Sequence, residues 1–338
     1  MRIAISGASG YIGQHLSSFL EGKGYDVIPL GRDLFKEDCF DELCRCVESC
    51  EVVINLAGAS INKRWTEAYK QELYDSRICV TRQLVHAINT RSVKLELFIS
   101  ASAVGYYPAF GEYDEYHDCR GMDFLARLCG AWEEEASACS SDVSLVITRF
   151  GVVLSEDGGA LKEMLRLQRF SRVSVVIGNG QQRFPWISLF DLCRSFGYII
   201  RNRQMRGVVN LVSPDLITQK QLAHTLARAD KIRRIIPLPE FFFRLKFGEG
   251  ASFVTKGQTV HPSKLQESGF IYIYPTIEKL MNITDHHTVP ELDVKRYMGR
   301  WYEIARYENH FERGMTDVTA TYTLLPDGKI RVENEGYK

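Results

Sequence analysis

A chain of 338 residues with 45% hydrophobic and 25% charged side chains has the length for two domains and a sizeable core. Its formal net charge of zero gives no electrostatic reason to expect nucleic acid or an anionic membrane surface as a partner. A strand that begins at the second residue predicts no signal peptide, and no apolar stretch reaches bilayer length, so the expected location is the cytoplasm.

Arg2 to Ser6 reads as a short buried strand, followed by Gly7, Gly10 and Gly13 at three-residue spacing. Ile12, Leu16, Phe19 and Leu20 then recur at helical spacing, Gly22 and Gly24 supply a stop, and Val27 to Leu30 is a second strand. A βαβ unit with a glycine-rich first turn suits a diphosphate: backbone N–H groups approach the anion and the helix offers it a positive end. Gly7, Ser9, Gly10, Tyr11, Ile12 and Gly13 are therefore the expected cofactor-binding turn, in the strand-to-helix context that gives such a motif its meaning. After the second strand comes Gly31, then Arg32, then Asp33. A guanidinium accommodates a 2′-phosphate and a carboxylate binds a ribose 2′-hydroxyl, so Arg32 favours NADP while Asp33 keeps NAD open.

The segment Asp38 to Ser49 reads as a helix carrying part of a cysteine cluster, Cys39, Cys44, Cys46 and Cys50, whose spacing is not C-x-x-C; reduced thiols on a packed helix are expected rather than zinc. Val52 to Leu56 is the next strand, and Leu56, Ala57 and Gly58 at its end are small enough to let a cofactor lie against the backbone. Trp65 to Ser76 and Ile78 to Asn89 read as two helices, and Leu95 to Ile99 as a strand running into SASAVGYYP. Beyond a polar loop, Asp123 to Cys139 reads as a helix, Leu145 to Arg149 as a strand and Ala160 to Phe170 as a helix. Gly207 to Val212 follows as a strand, and Thr218 to Ala229 as a helix N-capped by Thr218. Alternation of this kind predicts an α/β fold with a doubly wound parallel sheet. The aromatic run Phe241 to Phe243 is expected in the core. Asp285 onward is linker-like, with His286 and His287 expected in solvent; strand-like residues resume over 297–307 and 316–324, and Asp327-Gly328 signals a hairpin before Ile330 to Val332.

GASGYIG, INLAG followed by KRW, ISASAVGYY, LCGAWEEEA, RFGVVLSEDGGAL and GQTVHPSKLQESGF together resemble the atypical extended short-chain dehydrogenase/reductases often labelled nucleoside-diphosphate-sugar epimerase-like. The resemblance covers residues 1 to about 282. It implies a Rossmann domain over 1–235 with substrate-lobe insertions, a helical cap over 236–282 and an NADP-type cofactor. It also implies a small-molecule substrate and leaves a homodimer open. Active members of that superfamily use a Ser or Thr after a central strand and a Tyr-x-x-x-Lys pair on the next helix. Ser102 stands where the hydroxyl belongs, but the tyrosine position falls near Leu125 and the lysine position near Cys129. Tyr106 is the substitute phenol this reading offers, with Tyr107, Arg149, Gln182 and Trp186 as candidate substrate contacts at the sheet edge.

Beyond a linker at 283–290, residues 291–338 resemble the opening of a bacterial lipocalin, with Gly299-Arg300-Trp301 matching its Gly-x-Trp motif. Lipid binding is not expected of so short a part of a barrel. The expected function is an NADP-dependent oxidoreductase or epimerase-like activity on a small polar metabolite, a nucleotide sugar being one candidate. A dinucleotide-binding sensor or scaffold without turnover is the alternative, and a lipid-handling lipocalin fusion a weaker one.

Overall fold

The computed structural model describes residues 1–282, 298–302, 316–325 and 330–337, and the chain divides into two units, Met1–Ile283 and Thr284–Lys338. His286, His287 and the Asp327-Gly328 turn lie outside the described residues.

The first unit opens with β1 (Arg2–Ser6), α1 (Tyr11–Glu21), β2 (Asp26–Leu30), α2 (Phe40–Glu48), β3 (Val52–Asn55), α3 (Glu67–Thr90) and β4 (Leu97–Ala103). It continues with β5 (Glu112–Tyr113), α4 (Phe124–Ser137), β6 (Ser144–Phe150), β7 (Val152–Ser155), α5 (Gly159–Ser171), β8 (Val173–Ile177) and β9 (Trp186–Ser188). Then come α6 (Leu189–Arg201), β10 (Gly207–Leu211), α7 (Gln219–Ala229), β11 (Arg234–Leu238), α8 (Glu240–Phe247) and β12 (Thr259–Val260).

Six of these strands form one parallel sheet in the order β10-β6-β4-β3-β1-β2. The central strands read as unbroken apolar runs because helices cover both faces. Along β1, Ile3 and Ile5 pack with Leu16, Leu20, Leu192 and Phe196 on one side. Ala4 turns to the other side, toward Val53, Leu84, Ile88 and Phe98. The chain winds outward in both directions from the β1/β3 junction, and the carboxyl edge of such a junction is where open α/β sheets bind ligands.

Several elements differ from the sequence expectation. One helix, α3, replaces the two expected between Trp65 and Asn89: no glycine or proline interrupts it, and Thr66 caps it by accepting from the Tyr69 N–H at 3.2 Å. Beside the central sheet, a smaller lobe contains the parallel pairs β7–β9, β8–β11 and β5–β12. Phe241 and Phe242, expected in the core, are 62% and 49% exposed, because α8 buries none of its residues. The cysteine-bearing helix is shorter than expected; its first turn is a 3₁₀ segment at 37–39. In α7 the expected cap is present as a full capping box between Thr218 and Gln221.

The second unit contains β13 (Gly299–Tyr302), β14 (Thr316–Leu324) and β15 (Ile330–Tyr337), an antiparallel sheet in that order. Trp301 pairs with Ala320 across it and is half exposed.

Candidate cofactor and active site

The glycine turn is built by close approach. Gly7 has φ +72°, a left-handed conformation, and a Cβ there would stand 2.8 Å from the carbonyl of Leu56 at the end of β3. At Gly13 a Cβ would lie 2.2 Å from the Gly7 carbonyl oxygen, so α1 packs against the turn with no room for a side chain. The Gly10 N–H donates to the Gly7 carbonyl at 2.9 Å. Gly10 caps α1 without a side-chain bond and the first turn carries no acidic residue, which leaves the leading N–H groups open to an anion. The Tyr11 ring lies against Gly158, and among the described residues its buried hydroxyl has no hydrogen-bond partner, nor has the Ser100 hydroxyl in the middle of β4. A buried, unpartnered Tyr11 hydroxyl beside a side-chain-free turn fits a polar ligand laid along this edge. Ser9 and Ile12 stand in the same turn and the first turn of the helix.

Leu56 and Ala57, just beyond β3, lie against Gly7, and Gly58 follows them against the Arg77 side chain. The Ala57 N–H donates to Asn55 Oδ1 at 3.3 Å, and Asn55 in turn accepts from Ser6 Oγ at 2.7 Å and donates to Thr81 Oγ1 at 2.7 Å. Arg77, which sequence reasoning did not single out, underlies the loop: its Nη2 donates to the Ala59 carbonyl at 2.9 Å and burial pulls its pKa down. Arg32 makes no ion pair among the described residues, whereas Asp33 is held by Lys36, whose hydrogen bond and charge lower the Asp33 pKa. The Asp33–Lys36 pair is exposed to solvent.

The second half of the site stands where β4 and β6 run side by side. Ser102 and Arg149 are register partners, so both side chains leave the sheet on the same side, toward α4. There Ser102 Oγ donates to Glu133 Oε1 at 2.6 Å. Arg149 grips the same carboxylate with two bonds, Nε to Oε1 at 2.8 Å and Nη2 to Oε2 at 2.7 Å. Its Cζ lies 3.5 Å from the centroid of the Tyr106 ring and 4.7 Å from that of Tyr107. Burial opposes the guanidinium's charge, and the Glu133 bonds more than restore it, leaving its pKa above the ordinary value. Tyr106 is half-buried and its hydroxyl donates to Asp118 Oδ1 at 3.2 Å; burial pushes this phenol up and Arg149 pulls it back.

The structure therefore unites Ser102, Tyr106, Tyr107 and Arg149, and it adds Glu133, which the sequence reading passed over. Its one signal was its place, one turn after Cys129 on the face of α4 toward β4. Leu125 lies against Gly105, and Cys129 is wholly buried near Ser102, its thiol raised to about 12 by burial. No proton donor of the usual kind stands at either position. Tyr107 is buried, and its hydroxyl lies 2.9 Å from the Asp114 carbonyl and 3.1 Å from Asn210 Oδ1. Two expected substrate contacts are not brought into this cluster. Trp186 is fully buried in the core of the smaller lobe with Leu154, Leu161 and Leu222, and so does not line an open cleft. Gln182 donates to the Ile177 carbonyl at 3.2 Å in the same lobe.

Residues 3–211 match the NAD dependent epimerase/dehydratase family. The chain belongs to that family. Residues 238–282 match a domain of unknown function and residues 292–338 a lipocalin-like domain. Among its relatives, the epimerase family protein SDR39U1 homolog of Arabidopsis thaliana, described as chloroplastic, is 33% identical over 82% of this chain and 85% of its own. The epimerase family protein YfhF of Bacillus subtilis is also 33% identical, over 86% of this chain and all of its own. A crystal structure of the human epimerase family protein SDR39U1 with NADPH superposes with a TM-score of 0.76 at 32% identity, covering 83% of this chain and 98% of that one. A nucleoside-diphosphate sugar epimerase from Corynebacterium glutamicum gives 0.67 at 26% identity, over 83% of this chain and 57% of that one. Among the described residues no helix is long and apolar enough to cross a membrane.

Proposed function

We propose that residues 1–282 are an NADP-dependent oxidoreductase or epimerase-like enzyme acting on a small polar metabolite, a nucleotide sugar being the first class to try. The observation that carries this reading is the placement of the Ser102–Glu133–Arg149–Tyr106 cluster along the same sheet edge as the glycine turn. Gly7, Gly10, Gly13 and the first turn of α1 would hold the pyrophosphate, Leu56 to Gly58 would flank the dinucleotide, and Arg32 would meet the 2′-phosphate. When bound, the nicotinamide supplies a hydride acceptor or donor. Ser102 gives its own hydrogen to Glu133, so its lone pairs are what remain for a ligand, and they suit a substrate hydroxyl better than a carbonyl. Tyr106, the more exposed of the two tyrosines, would take or return that hydroxyl's proton.

The human relative crystallised with NADPH supports the cofactor assignment. Titration of the full chain with NADPH and NADH tests it: Arg32→Ala should weaken NADPH binding by about tenfold and leave NADH unchanged, the loss of one charge-assisted contact to phosphate. Equal effects on both would remove Arg32 from this role. Turnover is tested by following NADPH absorbance against nucleotide sugars and simple carbonyls and alcohols, with Tyr106→Phe and Ser102→Ala as controls. A second reading, a dinucleotide-binding sensor without turnover, is favoured by Leu125 and Cys129 at the usual acid/base positions. NADPH binding with no turnover on the whole panel would select it.

A further inference from the structure

We propose that Arg149, locked in place by Glu133, supplies the Tyr106 phenol with the positive charge that a helix lysine supplies in other short-chain dehydrogenases. The inference rests on the reading of Tyr106 as the proton-transfer group, and deepens it.

On α4 the residues one turn apart that face the end of β4 are Leu125, Cys129 and Glu133, so the helix offers no cation. The cation comes from the sheet instead: Arg149 is the β6 residue directly across from Ser102. Glu133 binds it through two parallel N–H···O bonds, which fix the guanidinium plane as well as its location. So held, and 4% exposed, the guanidinium lies over the face of the Tyr106 ring at 3.5 Å. A cation over an aromatic face is attracted by the ring's electron density. Deprotonation of the phenol adds to that density, so the same contact favours the phenolate over the phenol. A lysine would act through the oxygen; Arg149 acts through the ring.

Among the described residues, four ionisable groups face Tyr106. Arg149 from β6 favours the phenolate; Glu133 from α4 and Asp118 from the loop before α4 oppose it; Tyr107 packs edge-on with ring centroids 5.8 Å apart. Glu133 therefore has two opposed effects, aligning the guanidinium while offsetting part of its charge. Glutamine at this position keeps an oxygen that accepts from Arg149 and removes the negative charge, so Glu133→Gln and Arg149→Met should move the phenol in opposite directions, which simple loosening of the structure would not do.

The test uses the full chain with 3-fluorotyrosine incorporated, so that phenol titration lies below strongly alkaline pH, and ¹⁹F NMR, with Tyr106→Phe identifying the resonance. Arg149→Met should raise the Tyr106 titration midpoint by about one unit, Glu133→Gln should lower it, and Arg149→Lys should fall between Met and the parent. Midpoints that stay put, or that move the same way in both variants, would overturn the proposal. Arg149→Met leaves the buried Glu133 with Ser102 but without its cation, so folding is checked by circular dichroism. If that variant does not fold, the double variant Glu133→Gln/Arg149→Met is compared with Glu133→Gln alone: a higher midpoint in the double supports the role and an equal one removes it. Because the readout is protonation and not turnover, flat midpoints beside a Tyr106→Phe that abolishes turnover would discard this proposal and keep the functional reading. Opposed shifts beside an unaffected turnover would do the reverse.

Discussion

At Gly13 there is no space for a single methyl group. An alanine Cβ would meet the Gly7 carbonyl at 2.2 Å and the Ala8 backbone at 2.7 Å, and backbone atoms cannot swing aside as a side chain can. Gly13→Ala should therefore push α1 off the turn, costing about 2 kcal/mol or more in stability, and should reduce NADPH affinity at least tenfold. Urea denaturation and a binding titration read the two losses separately. Gly10 is less crowded, its nearest contact being the Gly7 oxygen at 3.2 Å, so Gly10→Ala should be the milder change. The triplet's spacing was legible in the sequence because it is a local pattern. Which of its members the packing is built on was not, because the clashing atoms belong to the turn's own folded path.

Among the helices, ends and faces differ in how they can be read. Thr66, Asp123 and Ser188 each accept from a backbone N–H of the first turn that follows, and each is a short polar residue immediately before a helix. Thr66→Ala should cost about 1 kcal/mol by thermal or urea unfolding. Faces are harder, since an apolar residue is buried only if another element arrives to cover it. Phe196 on α6 is fully buried against the sheet, and Phe196→Ala should cost about 3–5 kcal/mol. Phe241 on α8 looks as apolar in the sequence yet is mostly exposed, so Phe241→Ser should shift stability by no more than about 0.5 kcal/mol. Equal losses at the two positions would mean that α8 is covered in solution.

Across the first unit, Glu115 is the tie between distant segments. It accepts from the Asn210 N–H of β10 at 2.9 Å and from the Lys264 N–H at 3.4 Å, joining the loop before α4 to the sheet edge and to the final lobe. Burial raises its pKa above the ordinary 4.5, with these backbone bonds opposing the shift. The folded form thus holds its proton more tightly than the unfolded chain. Stability from this group is complete below pH 4.5 and falls as pH rises through the window between 4.5 and the higher folded value. Glu115→Gln should remove that fall while keeping an acceptor oxygen, so the variant's urea midpoint should gain on the parent's between about pH 4 and pH 7. A constant difference over that range would mean that Glu115 titrates as an exposed carboxyl.

The sequence by itself determined the alternating strands and helices, the glycine turn between β1 and α1, and the serine near the end of β4. Each is written in residues that are neighbours along the chain, where spacing, periodicity and turn chemistry act directly. Only the tertiary structure decided that Ser102, Glu133, Arg149 and Tyr106 form one cluster, that Trp186 is core and that Phe241 and Phe242 are exposed. Those outcomes depend on which strand lies beside which and in what register, and on what covers each face. Strand order and register are set by the packing of the whole sheet, so residues 16 and 31 positions from Glu133 meet at one carboxylate without any local sign that they will.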